Sequence, residues 1–127
     1  MRGFYLWIVS ALLVASSGAY AEFRPLTPPE AGANAGQCVT LEGRAHIFPD
    51  PERFGTVVQL GGPNEFHGFI ISGDEHLFPD LHAYEGRMVD ISGVIQLFRS
   101  VPEIRITEAH QLILAPASGQ PRPPIHC

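Results

Sequence analysis

The chain has 127 residues, which is enough for one domain with one modest hydrophobic core. It contains eight arginines and no lysine against 13 acidic residues, so its formal net charge at pH 7 is −5. Nonspecific affinity for nucleic acid comes mostly from neutralised phosphates, so this composition disfavours a generic phosphate-binding protein.

The N-terminal residues 1–21 have the pattern of a secretory signal peptide. Arg2 supplies a positive start, residues 4–15 are almost wholly apolar, and Ala19 and Ala21 are small residues at the positions that signal peptidase reads. We expect cleavage after Ala21 and a periplasmic or secreted chain of 106 residues (127 − 21) with a formal charge of −6 (−5 less the charge of Arg2). A membrane anchor is the alternative, but the apolar run is shorter than the ~20 residues of a spanning helix.

Residues 22–37 contain several prolines and glycines without a periodic apolar face, which is typical of a disordered linker. The folded domain is expected to cover residues 38–115, and a proline-rich tail follows at residues 116–127. Cys38 and Cys127 stand at the two ends of this mature region. In an oxidising compartment such a pair can form a disulfide, which we expect, and two unrelated thiols are the alternative.

Alternating apolar and polar residues begin at Cys38 and indicate half-buried strands. The first strand is predicted to reach about residue 48. Gly43 at its centre marks a bulge or sharp bend, as when one strand serves two sheets of a small barrel. A loop with two prolines interrupts the ladder and leads to a predicted hairpin of residues 56–60 and 66–72.

Residues 73–85 change to a helical period. Leu77, Leu81 and Tyr84 recur at spacings of four and three, which predicts one short helix. After this segment the alternation of apolar and polar residues returns and continues to Thr107. It lies on both sides of a short basic turn, which predicts a second hairpin. A final apolar run before the tail extends the last strand.

Three strands, one short helix and two further strands predict an all-β fold, a small β-barrel in which the helix plugs one end. This order is that of the five-stranded oligonucleotide- and oligosaccharide-binding fold, or OB-fold. Residues 78–104 read FPxLxxYEGRxVxIxGxIQLFRxxPEI. This string resembles the second half of small bacterial OB-fold domains of exported proteins, although Ser100 stands where glycine is usual. The resemblance implies binding of single-stranded nucleic acid across the second and third strands and the flanking loops.

A face that binds nucleic acid or sugar combines aromatic rings, on which rings of the ligand stack, with cations that follow a charged backbone. The candidate ligand-binding residues are Arg44, His46 and Phe48 on the first strand, Arg53 and Phe54 in the first loop, Phe66 and His67 on the third strand, and Phe98 and Arg99 at the last turn. The alternative is that about half of the phenylalanines belong to the core and that the arginines are ordinary surface residues.

The sequence carries no strong metal or catalytic motif. The six histidines lack the spacing that makes a zinc assignment strong, so we expect no metal and no cofactor. The chain also lacks a recognisable nucleophile with an oriented base, so we expect no enzyme.

The leading functional hypothesis is therefore a non-catalytic exported OB-fold module that binds single-stranded nucleic acid. The rival hypothesis is a periplasmic or envelope interaction module, or a stress-type OB module, that binds a protein, a sugar or a cationic ligand, and the acidic balance favours it. A third hypothesis is an accessory piece of a larger exported assembly.

Overall fold

The computed structural model describes residues 24–125 and 127. The predicted signal peptide, residues 1–21, lies outside the described residues. Within the described part of the chain, no helix has the length and apolar character needed to cross a membrane.

The described residues form one mixed sheet of seven strands. In chain order these are β1 (Cys38–Asp50), β2 (Gly55–Leu60), β3 (Phe66–Ile71), β4 (Met88–Val94), β5 (Gln96–Phe98), β6 (Val101–Arg105) and β7 (Leu112–Leu114). Their order across the sheet is β5-β6-β3-β2-β1-β4-β7. The pairing of β3 with β6 is parallel and the other pairings are antiparallel. The prediction of an all-β fold is confirmed, as is the first predicted hairpin, β2 with β3. The second is present only next to its turn, where β5 pairs with β6, because the rest of its first arm is β4, which pairs with β1 and β7. The final apolar run does not extend the last strand but forms β7 beside β4.

Strand β1 serves two different neighbours, as the central glycine predicts. Its first half, through Arg44, pairs with β4, and its second half, from Ala45 onward, pairs with β2. Gly43 lies just before this change of partner. A Cβ at Gly43 would lie 3.1 Å from Leu60 and from Pro28, so a side chain there would press on both neighbours. The glycine therefore lets the bent strand and the N-terminal segment pack closely.

The core lies on the inward face of these strands, where apolar side chains alternate with outward polar ones. Its largest fully buried members are Leu41, Leu60, Phe66, Ile70, Ile91, Ile95, Ile104, Ile106 and Leu112. Gly68 makes room at the centre, because a Cβ there would lie 2.9 Å from the side chains of both Ile91 and Ile106. The absent side chain thus allows two isoleucines to close over β3.

The segment between β3 and β4 differs from the prediction of one short helix. It forms two separate 3-10 helices, Asp74–Leu77 and Leu81–Tyr84. Pro79 lies between them, and proline both lacks a backbone donor and disfavours helical geometry in the residue before it. The apolar spacing is nevertheless used for packing, since Leu81 is buried in the core.

The N-terminal segment also differs from its prediction. Residues 22–37 were interpreted as a disordered linker, but Pro28–Asn34 form a 3-10 helix with Ala31 fully buried. Leu26 forms a bridge to Leu41 of β1. One buried and one partly buried apolar residue are too few to produce a periodic signal, whereas a proline suits the first turn of a helix.

The predicted disulfide between Cys38 and Cys127 is present, with 6.1 Å between the Cα atoms. The tail is also held by Arg122, whose Nε donates to Asp90 Oδ2 and whose Nη2 donates to Glu42 Oε2, both at 2.8 Å. Asp90 is buried on β4. The proline-rich tail is therefore tied to the outside of β1 and β4 at two points.

Replacing both Cys38 and Cys127 with serine should lower the free energy of unfolding by about 4 to 5 kcal/mol, because the bridge closes a loop with a sequence separation of 89. Urea unfolding followed by far-UV circular dichroism measures the loss. Reductant should reproduce it in the wild type and change nothing in the double variant. A loss below about 1 kcal/mol would show that the bridge adds little to stability.

Candidate ligand-binding face

The outward side of the sheet carries two neighbouring rows of side chains. The strand register aligns His46, Gln59, His67, Glu103 and Gln96 in one row, and Phe48, Val57, Phe69 and Arg105 in the next. We call this surface the outer face. Val57 and Phe69 are buried although they lie outside the main core cluster, so something on the outside must cover them.

Arg53, in the loop between β1 and β2, provides that cover for Phe69. Its guanidinium carbon lies 3.9 Å from the ring centroid of Phe69 and 3.6 Å from that of Phe98. Its two terminal nitrogens donate to the two carboxylate oxygens of Glu103 at 2.6 and 2.9 Å. We call Arg53, Phe69, Phe98 and Glu103 the arginine sandwich.

The sandwich is nearly closed to water, because the Arg53 and Glu103 side chains are only 12% and 4% exposed. Hydrogen bonding to Glu103 raises the pKa of Arg53, so the guanidinium stays charged. Such a planar, bidentate pair is the strong form of this contact. Arg53 was predicted to bind a ligand, but its donors are committed inside the protein.

Unusual backbone geometry surrounds the sandwich. A Cβ at Gly55 would collide with the ring of Phe69, so the glycine is needed for the ring to lie where it does. Phe54 before it has a φ of 54°, and at the β5–β6 turn Arg99 and Ser100 have φ of 50° and 70°. Non-glycine residues rarely adopt such left-handed angles. Ser100 thus occupies a turn conformation that favours glycine.

The other half of the outer face is open and carries three aromatic rings. The His46 and Phe48 centroids are 5.3 Å apart, and those of Phe48 and His67 are 6.3 Å apart with the rings nearly perpendicular. We call His46, Phe48 and His67 the ring strip. His46 is exposed and the other two are half-buried. The sequence prediction named all three, and the structure brings them together.

Glu85 supports one end of the ring strip. His46 Nδ1 donates to Glu85 Oε2 at 3.0 Å, and the backbone N–H of Ile47 donates to Glu85 Oε1 at 2.7 Å. The His46 contact, with that of Ile47, lowers the pKa of Glu85, so this carboxylate is ionised at neutral pH. At the other end, His67 Nε2 lies 2.9 Å from the carbonyl oxygen of Pro63. Both imidazoles are therefore oriented by neighbours.

The remaining predicted phenylalanines do not join the ring strip. Phe66 is fully buried in the core, so its prediction as a ligand-binding residue is wrong. Its place on the inward face of β3 follows from the strand register, which puts Phe66 and His67 on opposite faces. Phe98 is half-buried beneath Arg53. Phe54 is 75% exposed but lies in the loop.

The predicted arginines are mostly neutralised. Five of the seven arginines in the described part lie within 4.0 Å of a carboxylate oxygen: Arg24, Arg53, Arg99, Arg105 and Arg122. For Arg44 and Arg87 the described residues include no carboxylate at that distance. Arg44 is exposed and donates to the carbonyl oxygen of Gly86 at 2.6 Å. The outer face therefore offers few cations to a phosphate backbone.

A groove of about 580 Å³ borders the ring strip at Phe48. It runs between the end of the β1–β2 hairpin and the two 3-10 helices that follow β3. Apolar side chains form most of its wall, and Thr56, Glu75, His76 and His82 supply its polar groups. In the described part of the chain, no group of three or more His, Cys, Asp or Glu side chains is arranged to hold a metal ion.

Sequence reasoning missed Gln59, Glu85, Glu103 and this groove. Gln59 could have been predicted from the sequence. Pairing of β2 with β1 on one side and with β3 on the other places it between the two histidines of the ring strip. Glu85 lies 39 residues from His46 along the chain and has no local signal. Glu103 has no local signal either, because its bidentate partner Arg53 lies 50 residues away along the chain.

Comparisons with known proteins give no relationship to build on: no family model matches the sequence, and no curated protein matches it. The function is therefore argued from the geometry of the outer face.

Replacing Arg53 with alanine should lower the free energy of unfolding by about 3 to 5 kcal/mol, because it leaves the buried Glu103 carboxylate without its bidentate partner. Arg99→Ala is the matched control, since Arg99 also lies over the Phe98 ring, at 5.1 Å, but is exposed. Its loss should stay below about 1 kcal/mol. Urea unfolding of both variants measures the difference, and equal losses would contradict the structural role of the sandwich.

Proposed function

We propose that the protein is a non-catalytic exported binding module with an OB-type barrel, and that its ring strip binds an uncharged, ring-bearing ligand of the oligosaccharide class. The export part of the proposal rests on the signal-peptide pattern of residues 1–21. The fold and ligand parts rest on separate observations.

Strand connectivity supports an OB-type barrel. β4 and β5 lie towards opposite ends of the sheet order, yet only the buried Ile95 separates them in the chain. With one residue between them, the Cα atoms of Val94 and Gln96 can lie at most about 7 Å apart, so the two ends of the sheet have to approach each other. β4 and β5 together then correspond to the fourth strand of the OB order, and β6 to the fifth. The parallel pairing of β3 with β6 agrees with that correspondence.

The choice of an uncharged ligand rests on the arginines, most of which already have carboxylate partners. OB-folds bind oligonucleotides and oligosaccharides on the face of the second and third strands. Nucleic-acid affinity depends on cations that neutralise phosphates, and five of the seven described arginines already have carboxylate partners. Stacking on the ring strip needs no charge. Gln59 between His46 and His67 adds a hydrogen-bonding side chain suited to hydroxyl groups.

Single-stranded nucleic acid is the second candidate. Arg44 lies two residues before His46 on the same face of β1, and Arg87 precedes the neighbouring strand. Both are exposed and neither has a carboxylate within 4.0 Å among the described residues. These two cations could hold one or two phosphates beside the ring strip.

Replacing Phe48 with alanine should weaken ligand binding about tenfold or more, because one stacked ring contributes ~1 to 3 kcal/mol. The probes are a panel of neutral hexose oligomers and a single-stranded oligonucleotide of about 20 nucleotides, each titrated by calorimetry. Phe54→Ala is the control, since Phe54 is the more exposed ring but lies outside the ring strip. Its affinity should match that of the wild type.

Salt separates the two candidates. Affinity for a neutral oligosaccharide should change little between low and high salt, whereas oligonucleotide affinity should fall steeply. Strong, salt-dependent oligonucleotide binding with no oligosaccharide binding would favour the second candidate. Equal affinities of the wild type and the Phe48 variant for every probe would exclude the ring strip as the site.

A further inference from the structure

The groove beside Phe48 opens directly onto the hydrophobic core. Three core side chains that line it, Ile47, Phe78 and Leu81, are 8%, 6% and 8% exposed. Every other buried apolar residue among those described is 2% exposed or less. Among the buried apolar residues, those that keep the most exposure therefore all line this groove.

The local sequence explains why the groove is open. The inward positions at the end of the β1–β2 hairpin are Pro49 and Thr56, which pair across the two strands. The segment facing them is divided by Pro79 into two 3-10 helices instead of one continuous helix. The end of the sheet is therefore only partly covered. The resulting volume of about 580 Å³ lies within the range of small-molecule sites.

The rim of the groove carries one negative charge in a fixed position. Glu75 Oε1 accepts the backbone N–H of Gly73 at 2.9 Å, and Oε2 accepts the Thr56 hydroxyl at 3.3 Å. The Gly73 hydrogen bond lowers the pKa of Glu75, so the carboxylate is ionised at neutral pH. The backbone N–H of Glu75 itself is a third donor to this carboxylate. A carboxylate has about four acceptor positions, so about one remains for a ligand. The described lining residues include no arginine, and the chain has no lysine.

We propose that this groove binds a small amphiphilic cation, with an apolar ring or short chain over Ile47, Phe78 and Leu81 and an ammonium group at the Glu75 carboxylate. The shape of the groove selects the apolar body, and the unneutralised carboxylate selects the positive charge. An anion of the same shape would meet Glu75 with a like charge, and a neutral analogue would lose the charge-assisted hydrogen bond.

This site is separate from the ring strip that carries the proposed function, although Phe48 borders both. A ligand in the groove contacts Thr56, Glu75 and Leu81, whereas a ligand on the ring strip contacts His46 and His67. The two sites can therefore fail or succeed independently.

The test uses the full mature chain with its disulfide intact and three probes of one shape: phenethylammonium, phenethyl alcohol and hydrocinnamate. Titrations followed by ¹H–¹⁵N correlation spectra at pH 8, above the ordinary range of histidine, report both affinity and place. Phenethylammonium should bind tightest and should shift the amides of Thr56, Glu75 and Leu81 but not that of His67. The alcohol should bind about tenfold more weakly, and the carboxylate should bind weakest.

Glu75→Gln keeps an oxygen acceptor for Gly73 but removes the charge, and should reduce phenethylammonium affinity about tenfold. Glu65→Gln is the matched control, because Glu65 Oε1 accepts the backbone N–H of Gly62 at 2.8 Å in an equivalent turn away from the groove. It should leave the affinity unchanged. Equal binding of the three probes, equal losses in the two variants, shifts confined to the ring strip, or no binding of any probe would each overturn the proposal.

Discussion

The bidentate pair of Arg53 and Glu103 determines how the outer face of this sheet is used. A buried ion pair has a large desolvation cost, which good geometry and further contacts must offset. Here two parallel hydrogen bonds and the faces of Phe69 and Phe98 supply those contacts. Because the guanidinium covers both rings, half of the face is closed to ligands. The exposed aromatic surface is left to the ring strip, on the other half of the same outer face.

The same kind of contact, an arginine that donates to carboxylates, holds the C-terminal tail on the sheet. Arg122 reaches the buried Asp90 and the neighbouring Glu42 from a segment that has few apolar side chains of its own. In both places an irregular segment is held on the sheet by a planar guanidinium that donates to carboxylates, a geometry that lysine does not reproduce. A composition rich in arginine and without lysine first suggests cations for a ligand. The structure places five of the seven described arginines within 4.0 Å of a carboxylate, but only Arg53 and Arg122 are mostly buried in these contacts. The acidic balance of the chain supplies the carboxylates.

The sequence predicted the features whose signal is local. Alternation predicted most of the strands and the β2–β3 hairpin, and the position of Gly43 predicted the change of partner in β1. The bridge joins residues with a sequence separation of 89, but it was predictable because the chain has only two cysteines. The features that it did not predict depend on distant partners: Arg53 and Glu103 are 50 residues apart, and Arg122 and Glu42 are 80 apart. No periodic pattern encodes such pairs. Phe66 shows a second limit of prediction from sequence. Neighbouring residues of a strand point to opposite faces, so a shift of one residue would exchange Phe66 and His67 between core and surface, and only the strand register decides which of them is buried.

The segment after β3 shows how a failed prediction can point to function. One continuous helix would have brought its apolar residues into line over the end of the sheet. Pro79 prevents this, and Leu77 and Tyr84 are only partly buried as a result. The stability cost is small, because Ile47, Phe78 and Leu81 each keep no more than 8% exposure. Hydrophobic stabilisation scales with the apolar area removed from water, so nearly all of it is retained while the core stays accessible through the groove. A ligand with an apolar body can complete this packing, and the Glu75 carboxylate at the rim then decides which charge that ligand must carry.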